Sequence, residues 1–212
     1  MLTQSKLDKQ NFKMKHFCSI VFHMESLYSP DGHRLYLTAS ERAAFLAASA
    51  KAPRVVRSFC EVLHFTGCRL SEATALMPKQ IDFTGKAIIF ETLKKRRDGV
   101  FRAVPVPDAL LDTLNLIHGL TEGQTRRDEP LWHWSRTTAW RKIKAVMDDA
   151  GIEAGEHASP KGLRHGYGVA GISAGVPLNM LSKWMGHSKI ETTAIYANAL
   201  GEEQRQIAER MW

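Results

Sequence analysis

The chain has 212 residues, 44% of them hydrophobic and 24% charged, with a net charge of +7 and a pI near 9.4. That composition describes an ordinary soluble globular protein with one good core, or one domain and a short extension, and the basic excess points to a polyanionic partner. The three cysteines, Cys18, Cys60 and Cys68, lack disulfide-framework or zinc spacing, and the apolar run FCSIVFHM is too short to span a bilayer, which together argue against a secreted, metal-held or membrane protein and fit a reducing cytoplasm.

Residues 1–35 are weakly patterned, and the turn-rich SPDGHR (Ser29 to Arg34) separates an N-terminal extension, 1–35, from a domain over 36–212. TASERAAFLAAS opens with Thr38 and Glu41 at capping-box spacing and continues with apolar residues at helical intervals. A second helix is expected from about Pro53 to Phe65, stopping near Thr66-Gly67, and a third begins with RLSEATALM. The period then changes: KAIIFETLKKRRDGVFRAVPVP reads as two strands around Arg96-Arg97-Asp98-Gly99, with Asp-Gly as the turn signal. Helices resume with PDALLDTLNLIHGL and SRTTAWRKIKAVMDDAGI, the latter carrying Trp140, Ile143 and Met147 on one face. The fold class is therefore mainly α with a small inserted β-hairpin or sheet (α+β).

The segment KGLRHGYGVAGISAGVPLNMLSKWMGHSKIETTAIYAN, Lys161 to Asn198, carries the chemistry. Lys161 and Arg164 lie three apart on a helix starting near Pro160, so they point the same way. Gly186-His187 ends the next helix. Ser188 and Glu191 repeat the capping-box spacing, so a fresh helix should carry Thr192, Thr193 and Tyr196 on one face, and the break lets His187 and Tyr196 converge. Taken singly, each motif has a plainer reading: Arg164 a buried structural arginine, His165 a core histidine, Gly186-His187 a helix terminus, Tyr196 a core tyrosine, KKRR a solvated hairpin tip. Their occurrence together and in order favours a site.

In that order the residues resemble the tyrosine recombinases, also called phage-integrase-type site-specific recombinases, whose catalytic domain looks like this chain from about Tyr36 to Asn198. TGCRLSEATAL supplies Arg69 at the family's first catalytic arginine and Glu72 as its acidic companion. The hairpin supplies Lys94 as the catalytic lysine, with Lys95 a close rival. KGLRH matches the family's HxLRH box, giving Arg164 as the second arginine and Lys161 where histidine is commoner. LSKWMGH gives His187, and TTAIYAN gives Tyr196 as nucleophile. The resemblance implies the tyrosine recombinase catalytic-domain fold and a reaction that cleaves and rejoins double-stranded DNA through a 3′-phosphotyrosine, with no cofactor or metal.

The chemistry of these side chains suits that reaction. A phenol with a pKa of about 10 is a poor nucleophile at neutral pH and needs a proton acceptor and a stabilised transition state. Arg69 and Arg164 offer planar forks of donors to the non-bridging phosphate oxygens, Lys94 can protonate the departing 5′ hydroxyl, and His187 can add a hydrogen bond to the phosphate. Glu72 is expected to orient the site, with a surface role as the alternative. Lys161 departs from the commonest pattern, because a protonated lysine accepts nothing, and the general base stays open.

For DNA contact the basic residues Lys95, Arg96, Arg97 and Arg102 of the hairpin are expected, with Arg136, Arg141, Lys142 and Lys144 as a second cluster on one helix. Only about 35 residues precede the matched region, so the chain resembles the short single-domain members or a truncated integrase. A C-terminal helix over about 201–212, with Leu200, Ile207, Met211 and Trp212 on one stripe, packs on its own domain or on a neighbour. A homo-oligomer, a tetramer on DNA, is implied, with accessory DNA-binding proteins as possible helpers and the nucleoid, a plasmid or a phage as the setting. A type IB topoisomerase-like enzyme and a catalytically idle DNA-binding relative are the competing functions.

Overall fold

The computed structural model describes residues 26–91, 101–121, 128–198 and 202–211, in which helices predominate around one small sheet. Helix α1, Ala39–Ser49, starts at the expected capping box: the Thr38 hydroxyl accepts from the Glu41 N–H, and the Glu41 carboxylate accepts from the Thr38 N–H at 2.8 Å. Helix α2, Arg54–Thr66, is buried along most of its length and stops at Gly67 in the left-handed region. The third helix is shorter than RLSEATALM suggested: α3 spans Leu70–Thr74.

The sheet is antiparallel in the order β1 (Ile81–Asp82), β2 (Ala87–Glu91), β3 (Phe101–Pro105). Strands β2 and β3 pair antiparallel as expected, with Ile88 opposite Val104 and Phe90 opposite Arg102, while the turn expected at Arg96-Arg97-Asp98-Gly99 lies outside the described residues. The short β1 was not foreseen; two residues are too few to show a period of two. Along β3, burial alternates, so Arg102 shares the inward face with Val104.

Helices α4 (Asp108–His118) and α5 (Arg136–Asp149) follow, then α6 (Pro160–Ser173) and α7 (Leu178–Met185). A single-turn α8 (Glu191–Ala194) runs into a 3-10 turn, Ile195–Asn198. The tail forms α9 (Glu202–Ala208) and a 3-10 turn, Glu209–Met211, and α9 lies against α6 of the same chain. Of the expected apolar stripe, Ile207 is half-buried and Met211 exposed, while Leu200 and Trp212 fall outside the described residues.

Two apolar clusters hold these elements. The larger gathers Phe59, Ile88, Phe90, Leu110, Trp132 and Ile143 from α1–α5 and the sheet; the smaller gathers Leu27, Tyr36, Val169, Leu181, Met185, Ile195 and Tyr196. Helix α6 joins them, giving Leu163 to the first and Val169 to the second. Leu27, only 2% exposed, belongs to the packed unit although it precedes the boundary at residue 36, because the Tyr28–Arg34 bridge folds this segment back onto α6 and α7. Trp140 is 44% exposed, not core like Ile143 and Met147: it shares their side of α5 but lies nearer the helix N-terminus, where that side overhangs a cleft. No helix among the described residues is long and apolar enough to cross a membrane.

Candidate active site

Segments from α3, α5, α6 and the stretch from His187 to Tyr196 meet at one cleft of about 450 Å³. The start of α3 contributes Arg69, α6 contributes Lys161, Arg164 and His165, the end of α7 leads into His187, and the 3-10 turn brings Tyr196; Arg136 and Trp140 line its α5 side. A larger, mostly apolar groove of about 610 Å³ lies between α1, α2 and α5, and among the described residues no tyrosine, serine, threonine or cysteine lines it.

The Arg69 side rests on Glu72. The Glu72 carboxylate accepts from the Arg69 backbone N–H at 2.8 Å and from its guanidinium at 3.0 Å, so it caps α3 and aims the arginine at once. Its other partner is Arg102, whose guanidinium grips the same carboxylate with two bonds of 2.7 and 3.2 Å and gives Nε to the Trp184 carbonyl at 2.8 Å. Burial alone would raise the Glu72 carboxyl, but the hydrogen bonds and charge of Arg102, then Arg69, hold it below its ordinary range. Glu72 is thus buried between Arg69 and Arg102 and is not a surface residue.

Arg164 is buried and donates to the carbonyls of Gly67 at 2.6 Å and Met185 at 2.7 Å, which ties α6 to the ends of α2 and α7. Burial first, then the Arg69 charge, lowers it to about 10, which leaves it cationic at neutral pH. It also lies 3.0 Å from His187 Nε2. A guanidinium only donates, so Nε2 accepts, and the ring proton sits on Nδ1, which is 2.8 Å from Thr193 Oγ1. Burial and the Arg164 and Arg69 charges hold His187 down to about 3, so the ring is neutral. Gly186 adopts φ +69 to end α7 and turn the chain into His187; a side chain there would be strained and crowd the Arg102 guanidinium.

Tyr196 is 1% exposed and stacks on His187 with ring centroids 6.2 Å apart. Its hydroxyl is hydrogen-bonded to His165 Nδ1 at 3.2 Å. The ring can lie so close to α6 only because residue 168 is glycine, where a Cβ would meet three ring atoms at 2.6 Å.

Arg69, Lys161, Arg164, His187 and Tyr196 therefore come together as the sequence led one to expect, with Lys161 exposed at the cleft and Arg164 buried beside it. Lys94, Lys95, Arg96 and Arg97 lie outside the described residues. Arg102 is corrected: at 5% exposure and clamped to Glu72 it faces the interior, not the DNA-facing surface expected of it. The second basic cluster lies on one helix, α5, as expected, but its members point different ways. Arg136 lines the cleft and Arg141 is exposed, but Lys142 Nζ sits over the Trp134 ring and Lys144 donates to the Ala158 carbonyl, because residues 136, 141, 142 and 144 point around the helix. The Ser188 capping box is absent: Ile190 precedes α8 and no side chain caps it, yet the break still brings His187 onto Tyr196.

Three roles escaped the sequence reading. The sequence offers His165 only as a core histidine, gives no sign of Gly168, and places Trp140 on one face with Ile143 and Met147 without marking it as cleft-lining. The alternation of β3 was a usable signal for Arg102; nothing local marks Gly168, since its partner is 28 residues away. Among the described residues no cluster of His, Cys, Asp or Glu could hold a metal ion.

The phage integrase family model matches residues 35–203. Tyrosine recombinase XerA of Thermococcus onnurineus is 27% identical over 183 residues, which cover 82% of this chain and 61% of that protein. The crystal structure of XerA recombinase superposes with a TM-score of 0.73 at 21% identity, over 86% of this chain and 66% of that one. A λ integrase dimer bound to a COC′ core site gives a TM-score of 0.57 at 19% identity, over 76% of this chain and 47% of that one. The chain thus spans about three-fifths of the length of the curated relative.

Proposed function

The chain belongs to the phage integrase family, and from that premise we propose that it is a site-specific DNA recombinase that cleaves and rejoins double-stranded DNA through a 3′-phosphotyrosine on Tyr196. The observation that carries this reading is the cleft that Arg69, Arg164, His187 and Tyr196 line together. The phenolic oxygen attacks the phosphorus, the P–O5′ bond breaks, and the phosphate bond is kept on tyrosine until a 5′ hydroxyl reverses the step. The two guanidiniums stabilise the charge on the non-bridging oxygens, and Lys161 at the helix start adds attraction for the phosphate. A lysine between strands β2 and β3 in the sequence, Lys94 or its rival Lys95, protonates the leaving 5′ oxygen.

The +7 net charge supports a DNA partner, and the λ integrase dimer on its core site supports assembly of more than one copy on the DNA, as a tetramer when two sites are exchanged. Accessory DNA-binding proteins and action on nucleoid, plasmid or phage DNA belong to the same reading. The test is a duplex nicked beside the scissile phosphate, drawn from a randomised pool. An SDS-resistant protein–DNA adduct excludes an idle DNA-binding relative, and strand exchange between two captured sites excludes a plain topoisomerase. Binding without any adduct would overturn the reading.

A further inference from the structure

Attack by Tyr196 needs a group to take its proton, and the cleft offers few. Lys161, at the position where the family resemblance would put histidine, is exposed at the cleft and makes no hydrogen bond to the Tyr196 hydroxyl among the described residues. His187 has both ring nitrogens engaged, Nε2 accepting from Arg164 and Nδ1 facing Thr193. Arg69 and Arg164 are donors. His165, 3% exposed, is hydrogen-bonded to the phenol, with Nδ1 at 3.2 Å from Tyr196 Oη and Nε2 buried without a hydrogen-bond partner among the described residues.

We propose that His165 is the proton acceptor of the cleavage step. The inference rests on the recombinase reading above. In the step, the O–H of Tyr196 passes its proton to His165 Nδ1, Oη bonds to phosphorus, and the P–O5′ bond breaks with its electron pair going to O5′. In the reverse step the imidazolium returns the proton to the phenolic oxygen. The tautomer that does this carries its proton on Nε2.

The charged surroundings make the base depend on substrate. Lys161 and Arg164 face His165 from its own helix, Tyr196 and His187 from the C-terminal segment, and Arg69 and Arg136 line the same cleft. In the free protein burial first, then Lys161 and Arg164, hold His165 down to about 4. A phosphodiester seated between those cations offsets their charge and makes the ring more basic when a substrate is there to be cut.

The test measures single-turnover adduct formation on a nicked duplex that the wild-type chain captures from the randomised pool. His165→Asn keeps an acceptor oxygen near the Nδ1 position but cannot hold a proton. Its rate at neutral pH is expected to fall by about 100- to 10,000-fold with DNA binding retained. The variant's rate should climb about tenfold per pH unit toward the phenol pKa of about 10, and replacing Tyr196 with the more acidic 3,5-difluorotyrosine should restore it. A wild-type rate, or a loss equal at every pH and not restored by difluorotyrosine, overturns the proposal and makes His165 a packing residue. Should the variant fail to fold, ¹⁵N NMR of the wild-type chain decides: a bare Nδ1 and protonated Nε2 are expected, and a protonated Nδ1 overturns it. A wild-type chain that forms no adduct on any duplex contradicts the recombinase reading instead.

Discussion

The Tyr196 ring lies face-on against Gly168, close enough that a Cβ at residue 168 would stand 2.6 Å from Cε1, Cε2 and Cζ. Gly168→Ala must therefore move the ring, and the 3.2 Å bond from its hydroxyl to His165 has little length to spare. Adduct formation should drop by about 100-fold, the scale of an ångström-sized misplacement of a reacting group, while gel-shift affinity for DNA stays at the wild-type level. Undiminished cleavage by this variant would mean that the seat of the nucleophile is not set by α6.

The two arginines differ in how they are held, so their lysine variants should differ. Arg69 is partly exposed and leans on Glu72, whereas Arg164 is buried and gives its donors to Gly67, Met185 and His187. Arg69→Lys should lose cleavage with near wild-type stability. Arg164→Lys should lose both, by about 1–3 kcal/mol in stability for the buried carbonyls left without donors, as read from urea unfolding. Equal stability of the two variants would contradict the tie that Arg164 makes between α2, α6 and α7.

Much of this arrangement was legible in the sequence. The capping box at Thr38, the two paired strands and the break after Gly186 are local signals written in neighbouring residues, and each has its place in the fold. Of the residues singled out by the five motifs, Arg69, Lys161, Arg164, His187 and Tyr196 line one cleft. What stayed hidden depends on contacts between distant segments: Arg102 turned inward because Glu72, 30 residues earlier, needed a partner, and His165 meets Tyr196 only after α6, α7 and the last turn have packed.

Arg102 and Arg141 make an opposed pair for experiment. Arg102→Ala leaves the Glu72 carboxylate buried with half its partners and should cost about 3–5 kcal/mol of stability without altering how DNA binding responds to salt. Arg141→Ala should leave stability intact, and if that exposed side chain meets a phosphate it should reduce the slope of log affinity against log salt by about 0.9. A stable Arg102→Ala protein with a reduced slope would return Arg102 to the DNA-facing surface.

Acid should unfold the free protein through its buried histidines. Burial is the first cause that holds His64 and His187 down to about 3 and His165 to about 4, against an ordinary 6.5. They are neutral in the folded chain and protonated in the unfolded chain below 6.5, so the unfolded state binds more protons and stability declines as pH falls from about 6.5 toward 4. Glu72, held below its ordinary 4.5, adds to the loss at the acid end. Melting temperature should therefore drop continuously across this window, and a flat profile would show that these rings are not neutral in the fold.

The most direct measurement is to locate the bond to DNA. The trypsin fragment Ile190–Arg205, IETTAIYANALGEEQR, contains Tyr196 as its one tyrosine. After capture on a nicked duplex, nuclease digestion and tandem mass spectrometry, the account predicts a nucleotide residue on Tyr196 in this fragment and no adduct from Tyr196→Phe. A nucleotide on Tyr28, Tyr36 or Tyr167, or an adduct that persists in Tyr196→Phe, would contradict it.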